Sequence, residues 1–388
     1  MTAYKAGTSA GSGFAFEEVA RDVATGARAG LLHTPHGTIE TPTFMPVGTH
    51  GSVKALSQQD LLDLGAGVIL SNAYHLYLRP GHELIYRAGG LHEFISWPRP
   101  ILTDSGGYQV FSLGQLNTVG EQGVRFKSHL DGSSHLFTPE LVMEIEHALG
   151  ADIIMAFDEC TPYPSSHDQA RESMELSLRW ADRCLVRHRQ LSEERATRPP
   201  QALFGIVQGG IYEDLRTRCA GQLADMDLPG YAIGGLAVGE PRAAMLDAVA
   251  ATVPHMPAAR PRYLMGVGLP HDLVDSVAAG IDMFDCVVPT RNARNGTAFT
   301  RRGRLRLKNA DLAEERTPMD SSCACTACTR YSRAYLRHLF QSNEILGLHL
   351  ATYHNVFFFL ELMREMRAAI VAGTFSAWRA GFLTEYRH

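Results

Sequence analysis

The sequence predicts an α/β protein built on a (β/α)8 TIM barrel, with insertions and a zinc-binding subdomain near the C-terminus. Three observations carry that reading. Eight short apolar runs rich in β-formers recur along the chain, each followed by Gly, Asn, Asp or another loop-forming residue. Amphipathic stretches of helical period lie between most of them, and three cysteines fall within six residues at Cys323, Cys325 and Cys328. Strands buried on both faces and alternating with helices imply a parallel barrel, with an open doubly wound sheet as the weaker rival.

In chain order the runs are 43–47, 68–70, 101–103, 152–157, 203–207, 231–233, 263–265 and 283–287, with helical patterns such as 139–149, 169–189 and 241–253 between them. The segment 124–137, after the third run, alternates like a hairpin and turns at Asp131-Gly132. A length of 388 residues suits one barrel with insertions, and 45% hydrophobic with 20% charged residues is an ordinary core-forming composition. The first thirteen residues are Gly/Ser/Ala-rich and lack an apolar segment, so they read as a tail and not as a signal peptide. No run of about 18 apolar residues stands out, so no membrane partner is expected. Seven cysteines, three of them clustered, suit a reducing compartment and a metal better than a disulfide framework.

Barrel enzymes place their chemistry where strands end. The residues at those ends are Asn72, Asp104, Asp158, Gln208, Gly235, Met265 and Asp285: three carboxylates, two carboxamides and a glycine-rich turn converging on one mouth. Neither G-x-G-x-x-G nor G-x-x-x-x-G-K-[ST] occurs, which argues against nucleotide-cofactor chemistry. Each motif alone also describes a tight turn or a buried thiol. Their convergence is what points to a polar, hydrogen-bond-rich ligand.

Charge is segregated. Residues 291–337 hold eleven Lys/Arg against four Asp/Glu, a local +7 within a chain of net charge −5, so the remainder sums to −12. Such a block in an acidic protein marks a polyanion partner, most often nucleic acid. Beside it, Cys-x-Cys-x-x-Cys supplies three thiolates, and tetrahedral zinc needs a fourth ligand. His338, His349 and His354 are the nearby imidazoles, and spacing does not choose among them.

Together these segments resemble the bacterial tRNA-guanine transglycosylases, the queuine tRNA-ribosyltransferase family. The resemblance rests on 103–110 (TDSGGYQV), 157–160 (FDEC), 205–210 (GIVQGG), 234–240 (GGLAVGE), 263–268 (YLMGVG), 284–291 (FDCVVPTR), 292–296 (NARNG) and the cysteine cluster, in the family's order from about Phe14 onward. It implies a 14–388 enzyme domain, with a zinc-binding subdomain at 303–356 inserted before the last barrel helix. The implied reaction exchanges the wobble guanine of GUN-anticodon tRNAs for the queuosine precursor 7-aminomethyl-7-deazaguanine. Asp285 would be the nucleophile of a double displacement through a covalent tRNA-aspartyl intermediate, and Asp104 the general acid/base. Ser105, Tyr108, Asp158, Cys160, Gln208, Gly235, Leu236 and Met265 would bind the base. Arg291, Arg294, Arg301 and Arg302 would hold tRNA. Cys323, Cys325, Cys328 and His354 would hold one structural Zn2+ per chain. A cytoplasmic homodimer is the implied form.

Two rival classes are weaker. A metal-dependent barrel hydrolase would want a His-x-His pair after the first strand, which is absent. A non-catalytic tRNA-binding paralogue would lack the nucleophile, whereas Asp285 and Asp104 are both present. Within the class, a queuine-inserting enzyme is disfavoured by Val238, where the resemblance expects a glycine to make room for queuine's cyclopentenediol.

Overall fold

A computed structural model of the chain describes residues 13–113 and 117–387; the stretch read as a tail lies, up to Ser12, outside the described residues. Among the described residues the strands form four sheets. An antiparallel sheet comes first: β1 (Ala15–Arg21), β2 (Arg28–Thr34) and β3 (Gly37–Thr41). The barrel opens with β4 (Thr43–Met45), β5 (Ile69–Asn72) and β6 (Ile101–Asp104). An antiparallel insertion follows, β7 (Thr118–Gly120), β8 (Gly123–Lys127) and β9 (Ser134–Phe137). The barrel then resumes with β10 (Ile153–Met155), β11 (Ala202–Val207), β12 (Gly230–Ile233), β13 (Arg262–Leu264) and β14 (Met283–Asp285), and the hairpin β15 (Thr297–Thr300) and β16 (Gly303–Arg306) completes the set.

The eight barrel strands pair in parallel in the order 4-14-13-12-11-10-6-5, and a parallel bridge between Val47 and Leu70 joins the two ends. Each apolar run singled out in the sequence overlaps one of them, with bounds that differ by one or two residues at most ends. The strands work because their side chains alternate between two cores. Met45, Leu70, Leu102, Ile153, Met155, Phe204, Ile206, Ala232, Tyr263 and Met283 fill the lumen as one buried cluster. Phe44, Ile69, Ile101, Ile154, Leu203, Val207, Tyr231, Ile233, Leu264 and Phe284 point outward into the helical layer. The run 152–157 yields a strand of only three residues, and Asp152, just before it, acts as a bracket. Its carboxylate accepts the Ile101 N–H at 2.9 Å, the His36 ring at 2.8 Å and the His92 ring at 3.1 Å.

The sheet β1–β3 was not anticipated. Its first strand, AFEEVAR, is largely exposed and has no clean apolar alternation. It plugs the barrel's N-terminal end: Leu32 and Ile39 join the lumen cluster, with Phe14 and Phe16 packed against it. A fully buried ion pair fastens the plug, since Arg28 donates to both oxygens of Asp282 at 2.9 and 2.6 Å. The Arg262 N–H donates to the same carboxylate at 2.7 Å.

Beyond β14 the chain builds a small satellite core from Ala298, Leu307, Met319, Leu336, Leu339, Phe340 and Leu350. The helix Ile345–Val371 runs from that core into the barrel's outer layer. By length and apolarity this helix alone among the described residues could cross a membrane, but 61% of its apolar window is buried inside the protein. It is a core helix.

Because Arg28 would be left buried without its partner, Asp282→Ala is expected to cost about 3–5 kcal/mol of stability. Chemical denaturation checks this; a loss below about 1 kcal/mol would show that the plug is held by apolar contacts alone.

Candidate active site and metal centre

The ends of β5 and β6 lie side by side, with Asn72 opposite Asp104 in register. Asp104 is 8% exposed, and among the described residues no cation pairs with it. It accepts hydrogen bonds from the Asn72 side chain, from Gln109 Nε2 at 2.8 Å and from the Ala73 N–H at 3.1 Å. Burial, assisted by the negative charge of Asp285 and opposed by these donors, pushes its pKa up to about 7. That is the range in which a carboxyl can both give and take a proton.

Asp285 ends β14. The Tyr263 hydroxyl donates to its Oδ1 at 2.6 Å, and the Gly266 N–H donates to the same oxygen at 2.8 Å. Burial raises its pKa while these two donors pull it back. Tyr263 is fully buried, and its own pKa lies well above the usual phenol range because of burial and the Asp285 charge. It therefore remains a hydrogen-bond donor and fixes one carboxylate oxygen, Oδ1, so that any chemistry at Asp285 would fall to Oδ2.

Asp158 follows β10. Gln208 Nε2 donates to its Oδ2 at 2.6 Å, and Ser105 also bonds to the carboxylate. Burial pushes this acid up to about 6, against the Gln208 bond. Two glycines are obligatory here. A Cβ on Gly107 would stand 2.7 Å from Asp158 Oδ1, and one on Gly235 (φ +66°) would stand 2.3 Å from Gln208 Oε1. Gln208 is completely buried, and its Oε1 has no hydrogen-bond partner among the described residues. A buried acceptor without a donor is costly. Cys160 borders the same group: burial and then the Asp158 charge push its thiol up to about 12, so it is a neutral wall.

The predicted base-binding residues thus divide. Asp158 is linked to Gln208, Ser105 and Cys160, and Cys160 in turn to the Gly235 N–H, while Asp104 and Asp285 act on each other through their charges. Leu236 is buried beside Gly235, Met265 packs on the lumen cluster next to the Gly266 N–H, and Tyr108 stands 55% exposed at the rim. Of the arginines, Arg291 and Arg302 are exposed. Arg294 is half-buried and donates to the Thr290 carbonyl at 2.9 Å. Arg301 is already paired with Glu365 and lies 5.7 Å from the Phe382 ring centre.

Sequence reasoning gave no role to Tyr263, Gln109 or Glu240. Tyr263 precedes Met265 by two strand positions and so shares its face, a signal that the period of two carries. Glu240 bends back to accept the Ala237 and Val238 N–H groups, at 2.5 and 3.0 Å, which fixes the loop after β12. No sequence spacing announced that contact.

The cysteine cluster closes with His354. Its Nδ1 lies 3.6, 3.5 and 3.3 Å from the sulfurs of Cys323, Cys325 and Cys328, and all four ligand atoms fall within 4.8 Å of one another. Zinc bonds of about 2.3 Å to sulfur and 2.0 Å to nitrogen at tetrahedral angles put S···N at about 3.5 Å, so this donor set fits such an ion. His354 Nε2 contacts the Phe299 carbonyl at 2.7 Å, which assigns the proton to that nitrogen and leaves Nδ1 to the metal. Of the other two imidazoles, His349 contacts the Ala55 carbonyl at 2.9 Å and His338 stacks near Tyr335.

A parallel barrel whose strand ends gather three carboxylates and hydrogen-bond donors, with a Cys3His cluster able to hold a metal ion, has the layout of a barrel enzyme. The chain matches the profile of the family described as Queuine tRNA-ribosyltransferase over residues 22–388. Curated relatives of that name agree. The one from Pelotomaculum thermopropionicum is 56% identical over 95% of this chain and 97% of its own. That from Thermoanaerobacter sp. strain X514 is 55% identical over 95% and 96%. That from Geobacillus thermodenitrificans is 54% identical over 93% of each. The chain belongs to the queuine tRNA-ribosyltransferase family, and thereby to the pentosyltransferases.

Elemental analysis should find one metal ion per chain. Cys325→Ala or His354→Ala is expected to lose it, and His349→Ala to keep it. Loss with His349→Ala and retention with His354→Ala would reverse the ligand assignment.

Proposed function

We propose that the protein exchanges the wobble guanine of tRNAs with GUN anticodons for 7-aminomethyl-7-deazaguanine, by two displacements at the ribose anomeric carbon. The observation that carries the reading is the pairing of two differently supported carboxylates, Asp104 and Asp285, at one mouth beside the Asp158–Gln208 pair. Asp285 attacks C1′, forming an ester as guanine leaves with the bond's electron pair on N9. Asp104 supplies the proton that the departing base needs. The incoming base then loses a proton to Asp104 and displaces Asp285, so the configuration at C1′ is retained.

Base selection follows from hydrogen-bond inventory. Guanine and 7-deazaguanines present two adjacent donors, which ionised Asp158 accepts. Their carbonyl takes a donor from the Gln208 carboxamide or the Gly235 N–H. Tyr108 and Met265 cover the two ring faces, and Leu236 meets the aminomethyl group. An anticodon loop supplies an unpaired base that can leave its stack cheaply. Arg291, Arg294, Arg301 and Arg302 then hold flanking phosphates, with Arg301 first exchanging its Glu365 partner.

The same proposal makes zinc the ion held by Cys323, Cys325, Cys328 and His354, within a 303–356 subdomain of a 14–388 enzyme domain. The closed set of four protein ligands leaves no position for a reactant, so the ion is structural. The working form is a cytoplasmic homodimer, whose interface would cover the exposed Tyr335, Leu346 and Ile345, the last 78% exposed. A single-chain mass by light scattering would remove the dimer.

The deciding experiment is exchange of labelled guanine into an unmodified GUN tRNA, with competing deazaguanines. Asp285→Asn should abolish exchange while tRNA still binds, and a trapped adduct should map to Asp285. An adduct on Asp104, with Asp285→Asn still turning over, would reverse the roles. Because Asp158 must be ionised to accept both base donors and titrates at about 6, KM for the base should rise about tenfold per pH unit below that value. Flat base affinity down to pH 5 would remove Asp158 from that role.

A further inference from the structure

The base-reading loops after β11 and β12 rest on one residue that the mechanism has not used. Arg216, on the helix Glu213–Ala224, is completely buried. Among the described residues no carboxylate lies within ion-pair distance of it. Its guanidinium is spent on three carbonyls. Nε donates to Gly210 O at 2.6 Å, Nη1 to Val207 O at 3.4 Å and Nη2 to Gly234 O at 3.0 Å. Burial lowers its pKa only to about 10, so the group remains a cation near neutrality.

A buried cation with no ion pair, and only the more distant Glu240 charge to compensate it, is expensive, and its three acceptors are not scattered. Val207 and Gly210 bracket Gln208, and Gly234 precedes Gly235. The same helix takes hold of Gln208 a second time, through Cys219, whose sulfur accepts the Gln208 N–H at 3.3 Å. Geometry gives the Gly234 bond a specific consequence. In a trans peptide the carbonyl of one residue and the N–H of the next point in opposite directions. The 234–235 bond is trans, the cis peptides among the described residues all preceding proline. Drawing the Gly234 carbonyl onto Arg216 therefore turns the Gly235 N–H to the other side, where it bonds toward Cys160 at the pocket wall. The charge on Arg216 also polarises that peptide, which makes its N–H a stronger donor.

We propose that Arg216 is a positioning residue for base recognition: its planar fork locks the Gln208 loop to the Gly235 loop and aims the Gly235 N–H at the carbonyl of the bound base. The inference rests on the base-exchange reading above and adds a residue that touches neither base nor tRNA. Lysine at this position keeps the charge but cannot hold three carbonyls in one plane. Methionine keeps much of the length and none of the donors.

The test compares wild type, Arg216→Lys and Arg216→Met in guanine exchange, with 6-thioguanine as the probe base. Thioguanine keeps both donors that face Asp158 and replaces only the carbonyl oxygen by a weaker acceptor. Arg216→Lys should raise KM for guanine about tenfold, leave KM for tRNA unchanged, and shrink the wild-type preference for guanine over thioguanine. Arg216→Met should do the same more strongly, and its folding is followed by thermal melting and metal content. If Arg216→Met fails to fold, Arg216→Lys alone decides. An unchanged guanine-to-thioguanine ratio in folded Arg216→Lys, or equal losses for base and tRNA, would overturn the proposal. Titration of free guanine into wild type and Arg216→Lys separates the two levels of inference. A wild type that binds guanine but does not exchange it removes the exchange reading and leaves Arg216 testable by affinity. A wild type that binds no guanine removes both.

Discussion

Three carboxylates stand at one barrel mouth, Asp104 and Asp158 buried and Asp285 half-buried, with hydrogen bonds in place of ion pairs, and most of the structure can be understood from that constraint. Each would rather be in water or neutral, and burial raises the pKa of all three. Their supports differ in kind. Asp104 has two carboxamides and one N–H, Asp158 a carboxamide and a serine, and Asp285 a phenol and one N–H. The result is one carboxyl near 7 and another near 6 at one barrel mouth, set apart by environment and not by residue type. Because folding raises these values, the folded chain binds protons more tightly than the unfolded chain between about pH 4 and 7. The site therefore costs stability as pH rises through that window.

That cost has to be offset elsewhere, and the barrel's other end is where the fold is tightened. The lumen is filled with side chains from every barrel strand, and the β1–β3 sheet seals it through Leu32, Ile39 and the Arg28–Asp282 pair. Asp282 stands three residues before Asp285. The residue that fastens the plug thus immediately precedes β14, and the residue at the mouth ends it. A rigid strand holds the mouth in place.

The metal centre extends the same logic to the basic surface. His354 binds the Phe299 carbonyl, while its neighbour Asn355 accepts the Phe299 N–H at 2.9 Å and donates to Pro289 O and Thr297 O at 2.9 and 3.0 Å. One helical step thus ties the cysteine cluster, the β15–β16 hairpin and the helix that follows Asp285 into a single unit. An ion at that cluster would act on the chemistry only through this scaffold.

The sequence by itself determined the barrel, because eight runs buried on both faces leave a pattern that no tertiary contact is needed to read. It also determined the residues at the strand ends, since position along a parallel strand decides which end of the barrel a side chain reaches. The thiol part of the metal centre was equally legible, its three members lying within six residues. The tertiary structure decided what depends on contacts between distant segments. It selected His354 over His338 and His349, because only the fold brings an imidazole from a remote helix onto the cysteines. It placed a polar, exposed β1 on the barrel floor, although that strand's own pattern announces no core. It also gave Tyr263, Glu240 and Arg216 their partners. A buried tyrosine and an unpaired buried arginine look like core and surface residues in a sequence; their meaning lies in which oxygen atoms they reach, and only folding fixes that.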